Sequence, residues 1–361
     1  MLKSKRLLIA TFMVAQILSP FSPAFAEVYL QAPAPGFCVQ NFNMYGPAYA
    51  TETVNRTERV AAELLGRSAC DVIHLQEVWT QKHIRQVKSL LSQEYDIADP
   101  NSLKRIGLMS LYQQPIEDQK TYLFRLNNDG GVLEGIRDMV GVEKAFHVVV
   151  SEPRELGEKF YFVNTHLHPT SSELRLTQIL DLLIWRLEHQ DHKLILTGDF
   201  NSDPGSLEHD LVLALLGAKD SLKEFWGGYP EGACSYCREN ARSWLPGNHL
   251  FDYIYFSEAG GNAGSYLSVE TGAINLRGTP RSSLSDHYGV RVDFLIKQGR
   301  GSLTPEEYSL RKERAFVALT QVEGILKAVQ RKDFDPYKEF VQNLKSQLSL
   351  SQGPFAEYLA K

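Results

Sequence analysis

The sequence predicts an α/β sandwich built on mixed sheets rather than a doubly wound parallel sheet. Short apolar strand runs recur along the chain, and helical patterns separate only some of them; that irregular alternation is the mark of mixed sheets. Hydrophobic residues make up 43% of the 361 and charged residues 22%, ordinary values for a globular chain with a sizeable core.

The first strand run, Gly36 to Asn43, leads into a Tyr-Gly-Pro turn. A helix is expected around residues 57–65, followed by the strand Asp71-Val-Ile-His-Leu-Gln, in which His74 reads as structural. Lys159-Phe-Tyr-Phe-Val-Asn and His192-Lys-Leu-Ile-Leu-Thr are short apolar strands. Between them, residues 172–187 place Leu176, Ile179, Leu180 and Leu183 on one helical face. Strands at 251–256 and 289–295 complete the main domain, which is expected to span 27–297. Gln298-Gly-Arg-Gly-Ser reads as a linker. Thr304-Pro305-Glu306-Glu307 then has the form of a capping box with proline at N1. The 298–361 extension carries Ala315, Leu319, Val322, Leu326 and Val329 as one stripe, and Phe340, Val341, Leu344 and Leu348 as another. It reads as a helical appendage packed on the main domain, with a partner-binding or membrane-adsorbing hairpin as the alternative.

The first 26 residues stand apart. Lys3, Lys5 and Arg6 precede an apolar run at 7–18, and Pro20, Pro23 and Ala24-Phe25-Ala26 follow. This is the three-part form of a secretory leader, with cleavage expected after Ala26 and a secreted or periplasmic destination. Export would permit disulfides. Four cysteines (Cys38, Cys70, Cys234 and Cys237) allow three full pairings, among which the sequence does not choose. The net charge is −5. That is not the basic footprint of a dedicated nucleic-acid binder, so no stable nucleic-acid partner is expected.

Six segments pair an apolar strand with a metal-ligating or proton-transferring residue: Asn41-Phe42-Asn43, Leu75-Gln76-Glu77, Asn164-Thr165-His166, Gly198-Asp199-Phe200-Asn201, Asp252-Tyr253 and Ser285-Asp286-His287. Each is expected at the end of its strand. Glu77, Asp199 and Asp286 are hard oxygen ligands, and Asn43 and Asn201 add neutral oxygens; such a set suits Mg²⁺ or Mn²⁺ better than zinc. Histidines beside carboxylates suit proton transfer near neutral pH. Together these groups fit the cleavage of a phosphoester. Each segment alone is weak, and it is their joint occurrence in this order that carries weight.

As a set, the six segments resemble the endonuclease/exonuclease/phosphatase superfamily over roughly residues 36–297. The resemblance implies a four-layered DNase I-like sandwich with two central mixed β-sheets. It makes Glu77 the principal Mg²⁺ ligand (Mn²⁺ or Co²⁺ as substitutes), supported by Asn43, with Asp286 near the metal. His166 is implied to contact the scissile phosphate, and Asp199 and Asn201 to orient the nucleophile and the phosphate. Asp252 is implied to hold His287, the general base.

Within the superfamily, Glu77-Val78-Trp79, Thr165-His166-Leu167-His168 and Asn43-Met44-Tyr45-Gly46, followed by Arg56 and Arg59, look like the neutral sphingomyelinases. That similarity offers His168 and Lys144 as substrate contacts. It implies cleavage of sphingomyelin or a related choline phospholipid at a membrane surface. A secreted nuclease on the same fold is the alternative, and a catalytically silent binding relative is a third. Residues 271–285 contain no aromatic residue, so the membrane-inserting hairpin of the haemolytic bacterial enzymes is missing there. Phe225-Trp226 with Tyr229, Trp244 or the C-terminal helices are the other candidates for docking.

Overall fold

The computed structural model describes residues 35–47, 49–102, 105–127, 142–259, 264–279, 282–299 and 303–361. The leader expected at 1–26 lies outside them. Twelve strands among these residues form two six-stranded sheets. The first holds β1 (Gly36–Asn43), β2 (Val72–Gln76), β3 (Asp96–Ala98), β4 (Met109–Tyr112), β11 (Ser265–Asn275) and β12 (Gly289–Gln298), in the order β11-β12-β1-β2-β4-β3. The second holds β5 (Asp118–Leu123), β6 (Ala145–Ser151), β7 (Phe160–His166), β8 (Lys193–Asp199), β9 (Lys219–Asp220) and β10 (Asp252–Ser257), in the order β5-β6-β7-β8-β10-β9. Each sheet has one parallel pair at its centre, β1 with β2 and β7 with β8, flanked by antiparallel neighbours.

The central strands are buried along almost their whole length, because both faces of each sheet are covered. Phe37 of β1 packs against Phe160 and Phe162 of the facing sheet, with ring centroids 5.2 and 6.0 Å apart. On the outer face of the first sheet lie α1 (Thr53–Leu65) and α2 (Gln81–Leu91). Their Val60, Leu64, Ile84, Val87 and Leu91 join Ile73, Leu75, Met109 and Leu111 in one cluster. On the outer face of the second lie α3 (Ser172–Glu188) and α4 (Leu207–Leu215). Helix, sheet, sheet and helix give four layers, the DNase I-like architecture that the resemblance implies.

Local signals explain the helix boundaries. Ser171 Oγ accepts from Leu174 N–H at 3.2 Å and starts α3 where the pattern placed it. The start of α1 falls four residues earlier than expected. Glu52, at its N-cap, has a left-handed backbone and no side-chain cap, so no capping signal marked it. After the short α5 (Ser221–Trp226) come α6 (Pro305–Ala328), α7 (Asp335–Leu350) and α8 (Pro354–Leu359). The capping box of α6 forms as expected: Thr304 Oγ1 accepts from Glu307 N–H, and Glu307 accepts from Thr304 N–H. The C-terminal helices share a core with the second sheet's helical layer. Tyr337 donates to Asp181 of α3 at 2.9 Å, and Tyr358 to the Leu216 carbonyl at 2.6 Å. No helix among the described residues is long and apolar enough to cross a membrane.

Candidate active site

Strand register assembles the site. In the second sheet, Asp199 at the end of β8 stands beside His166 at the end of β7 and Asp252 at the start of β10. In the first, Asn43 pairs with Gln76 across the parallel β1–β2 step, and Glu77 follows directly. Two of the six segments are corrected in place. Asp252 begins its strand, and Asp286-His287 sits just before β12. Both of those strands run antiparallel to the central ones, so their starts meet the ends of β8 and β1. Gly198 makes the β7–β8 approach possible, since a Cβ there would collide with the Thr165 carbonyl.

His287 Nδ1 lies 2.7 Å from Asp252 Oδ2. A carboxylate there fixes the ring with Nδ1 protonated, leaving Nε2 to take a proton. Nε2 faces Asp199 Oδ2 at 3.7 Å, and His166 Nε2 faces the same oxygen at 3.5 Å. Asn43 Nδ2 donates to that oxygen at 2.9 Å. Two imidazoles and an amide thus converge on one carboxylate. Asn201 has a left-handed backbone (φ 50°) that turns its N–H onto Asp199 Oδ1 at 3.0 Å, while its Nδ2 reaches the Leu167 carbonyl. Glu77 is also left-handed, at φ 59°. For a glutamate that is a strained conformation of the kind held in functional sites.

Charge in the pocket is unbalanced. Burial raises Glu77, with Asp199 adding to the effect while His287, Lys144 and Asn43 oppose it. Burial likewise pushes Asp199 up to about 6, and Asp286 up to about 6 with help from Glu77. Burial opposes a charged His287, but Asp252, Asp199 and Asp286 outweigh it and push the imidazole well above its ordinary value. Burial is the main cause for the carboxylates and the surrounding carboxylates for the imidazole, and a divalent cation would favour the ionised acids. The donor set fits a hard cation, with Glu77 and Asp286 as the carboxylates to hold it; Asn43, expected to add an amide oxygen, instead turns its Nδ2 to Asp199 while its Oδ1 accepts from Tyr45 N–H at 2.9 Å. Asp199, Asp252 and His287 also place ligand atoms within 4.8 Å of one another. Within that trio the 2.7 Å bond joins Asp252 to His287, an imidazole–carboxylate pair of the kind that suits proton transfer.

The two weaker candidates separate. Lys144 is buried, its ammonium lies 5.8 Å from the Trp79 ring centroid, and its charge acts on Glu77 and Asp199. It belongs to the cleft. His168 is wholly enclosed, and its Nδ1 accepts the N–H groups of Ser171 and Thr170 at 3.0 and 3.3 Å. Through Nδ1 it shapes the turn into α3.

Several contributors carried no assigned role in the sequence. Gln76 Nε2 donates to Asn41 Oδ1 at 2.7 Å and Asn164 Oδ1 at 2.8 Å, joining the two sheets beneath the site. Asn41 Nδ2 reaches Asp252 Oδ1 at 3.4 Å. All three residues lay inside the quoted motifs, so the motifs themselves were the signal. Arg56 is buried and donates to the carbonyls of Met44 and Leu284 at 2.8 and 2.9 Å, locking the turn after Asn43 to the loop before Asp286. His249, left without a role by the sequence, pairs with Asp203 at 2.7 Å. The disulfides are Cys38–Cys70 and Cys234–Cys237.

Fold and site together are those of a four-layered DNase I-like sandwich with a buried imidazole–carboxylate pair beside clustered carboxylates. The chain belongs to the Endonuclease/Exonuclease/phosphatase family, whose pattern it matches over residues 41–287. Enzymes of this family are phosphoric diester hydrolases and generally depend on divalent metal. Among curated proteins it is similar to the "Inositol phosphosphingolipids phospholipase C" of Saccharomyces cerevisiae, at 27% identity over 44% of this chain and 35% of that one. It is also similar to the Schizosaccharomyces pombe protein of that name, at 27% identity over 50% and 44%. The match thus spans less than half the length of either relative. The crystal structure of an endonuclease/exonuclease/phosphatase from Bacteroides vulgatus superposes with a TM-score of 0.58 at 19% identity, covering 73% of this chain and all of that one. That likeness shows the fold.

Proposed function

We propose that this chain is an exported, Mg²⁺-dependent phosphodiesterase that hydrolyses sphingomyelin or a related choline phospholipid at a membrane surface, releasing the phosphorylated headgroup. The observation that carries the catalytic half is His287, bonded to Asp252 and presenting Nε2 to the Asp199 side of the cleft. Two yeast relatives named for phosphosphingolipids support the lipid half, as does the acidic chain. The 1–26 leader pattern supports export.

In the proposed reaction, water attacks phosphorus, a P–O bond forms, and the bond to the lipid oxygen breaks. His287 Nε2 takes the proton from the water, and Asp252 stabilises the imidazolium that results. Asn201 and Asp199 orient the water and the phosphate. His166 donates to a non-bridging oxygen as charge develops there. Lys144 adds a positive charge to the phosphate side of the cleft. A divalent cation held by Glu77 and Asp286 would supply charge neutralisation at a phosphate oxygen and at the leaving alkoxide. Trp244 and Tyr49 are the most exposed large aromatics among the described residues, at 74% and 79%. Arg242 ties their two loops together through Thr51 and Glu52. Amphipathic rings of this kind suit a lipid–water interface, and we assign membrane docking to them.

The test is a parallel assay of the purified protein on vesicles of sphingomyelin, vesicles of inositol phosphoceramide, and plasmid DNA, each with Mg²⁺ and with EDTA. Mg²⁺-dependent release of phosphocholine supports the reading. Cleavage of the inositol lipid alone would move the headgroup assignment. Cleavage of DNA without lipid turnover would replace the proposal with the nuclease reading.

A further inference from the structure

The segment Cys234-Ser235-Tyr236-Cys237 takes no part in the chemistry above, yet it encloses the Asp252–His287 pair. Its cysteines are joined, all four residues are buried, and the two sulfurs cluster with Tyr288. Ser235 directs its polar groups at the backbone of the pair. Its Oγ accepts from Phe251 N–H at 3.0 Å and Asp252 N–H at 3.1 Å. Its carbonyl accepts from Tyr288 N–H at 2.6 Å. One residue therefore links the peptide of Asp252 to the residue after His287.

The same loop grips the other end of the histidine segment. Asn240, anchored by its own N–H to the Cys237 carbonyl at 2.9 Å, donates from Nδ2 to the Ser285 carbonyl at 2.9 Å. Residues 285–288 are thus fixed on both sides of His287. The Tyr236 ring stands edge-on to the imidazole, with centroids 5.1 Å apart at 73°. The N–H groups of Ser235 and Tyr236 both point at the His249 carbonyl, at 2.9 Å each. That conformation is one of many open to an unlinked tetrapeptide, and the bridge removes most of the others.

We propose that the Cys234–Cys237 bridge and the Ser235 it encloses form a positioning element for the general base. They set the distance between Asp252 and His287, and Ser235 acts through backbone rather than on substrate. Small displacements of such a pair weigh heavily on rate, since a misplacement of about 1 Å reduces turnover by roughly 10²-fold.

The test uses the full chain with Ser235→Ala, Ser235→Thr and the double variant Cys234→Ser/Cys237→Ser. Two readouts are taken: kcat and KM on sphingomyelin vesicles with Mg²⁺, and the downfield NMR signal of the His287 Nδ1 proton bonded to Asp252, assigned by its loss in His287→Gln. Ser235→Ala and the double variant are expected to lose about tenfold or more in kcat with KM within about twofold. In both, the Nδ1 proton signal moves upfield or broadens. Ser235→Thr, which keeps the acceptor oxygen, restores the signal and most of kcat. An unchanged signal and kcat in folded Ser235→Ala would overturn the proposal, and so would an equal loss in Ser235→Thr. Should the double cysteine variant fail to fold, the Ala/Thr pair decides. The kinetic arm rests on the phosphodiesterase reading, but the NMR arm needs no substrate and tests the clamp separately.

Discussion

At the scale of single residues, neighbours take different tasks in the proposed reaction. His287 would move the proton, whereas Asp286 beside it, raised by Glu77, would hold the cation. His287→Ala should lower kcat by about 10²–10⁴-fold while leaving the fold and the affinity for metal intact, as measured by steady-state kinetics alongside circular dichroism. Glu77→Gln keeps the shape of the strained φ 59° position but loses the charge. Its Mg²⁺ affinity, read by calorimetry, should fall by more than the roughly 10–100-fold that loss of a supporting partner brings. The convergence of these residues was legible because family motifs mark individual side chains. Ser235 and Asn240 were not legible, since their grip on the Asp252–His287 pair runs through backbone groups 16 to 53 residues away, and no local pattern records such contacts.

At the scale of elements, the two sheets are held in register by polar groups as well as by the phenylalanine core. His74 on β2 bonds Thr197 on β8 at 2.6 Å and Tyr112 on β4 at 2.9 Å. Burial lowers its pKa to about 3, so the ring stays neutral. His74→Ala should therefore lower stability by about 2–5 kcal/mol, through a cavity and two orphaned hydroxyls, in a urea titration. The Cys38–Cys70 link closes a loop with a sequence separation of 32, against 3 for Cys234–Cys237. Loop entropy alone makes the first worth about 4 kcal/mol and the second about 2, so replacing the first pair with serine should lower the midpoint more. His74 was read as structural from its strand position, but its partners lie on other strands and only the fold supplies them. The pairing of the cysteines was hidden for the same reason. The strands that bear the site could be read from apolar runs ending in polar residues. Strands such as β5, exposed along much of its length, offered no such contrast.

For the whole molecule, the carboxylates of the cleft link stability, pH and metal. Burial, with Asp252 acting on Asp199 and Glu77 on Asp286, holds both at about 6, above the ordinary aspartate value. Without a cation, the folded state binds more protons than the unfolded state between those limits, so these groups lose stability as pH rises through that window. A bound cation reverses this by stabilising the ionised form, and must displace protons to do so. The rise in Tm on adding Mg²⁺ should accordingly be larger at pH 7.5 than at pH 5. Equal shifts at both pH values would separate metal binding from these two groups.

The most direct measurement compares wild type with His287→Gln on sphingomyelin vesicles in ¹⁸O-labelled water, with Mg²⁺ or EDTA. Wild type with Mg²⁺ should release phosphocholine carrying one labelled oxygen, while EDTA abolishes release and the variant slows it by about 10²–10⁴-fold. Turnover within about tenfold of wild type in folded His287→Gln, or a product whose phosphoryl group carries no label, would contradict the proposed role of His287.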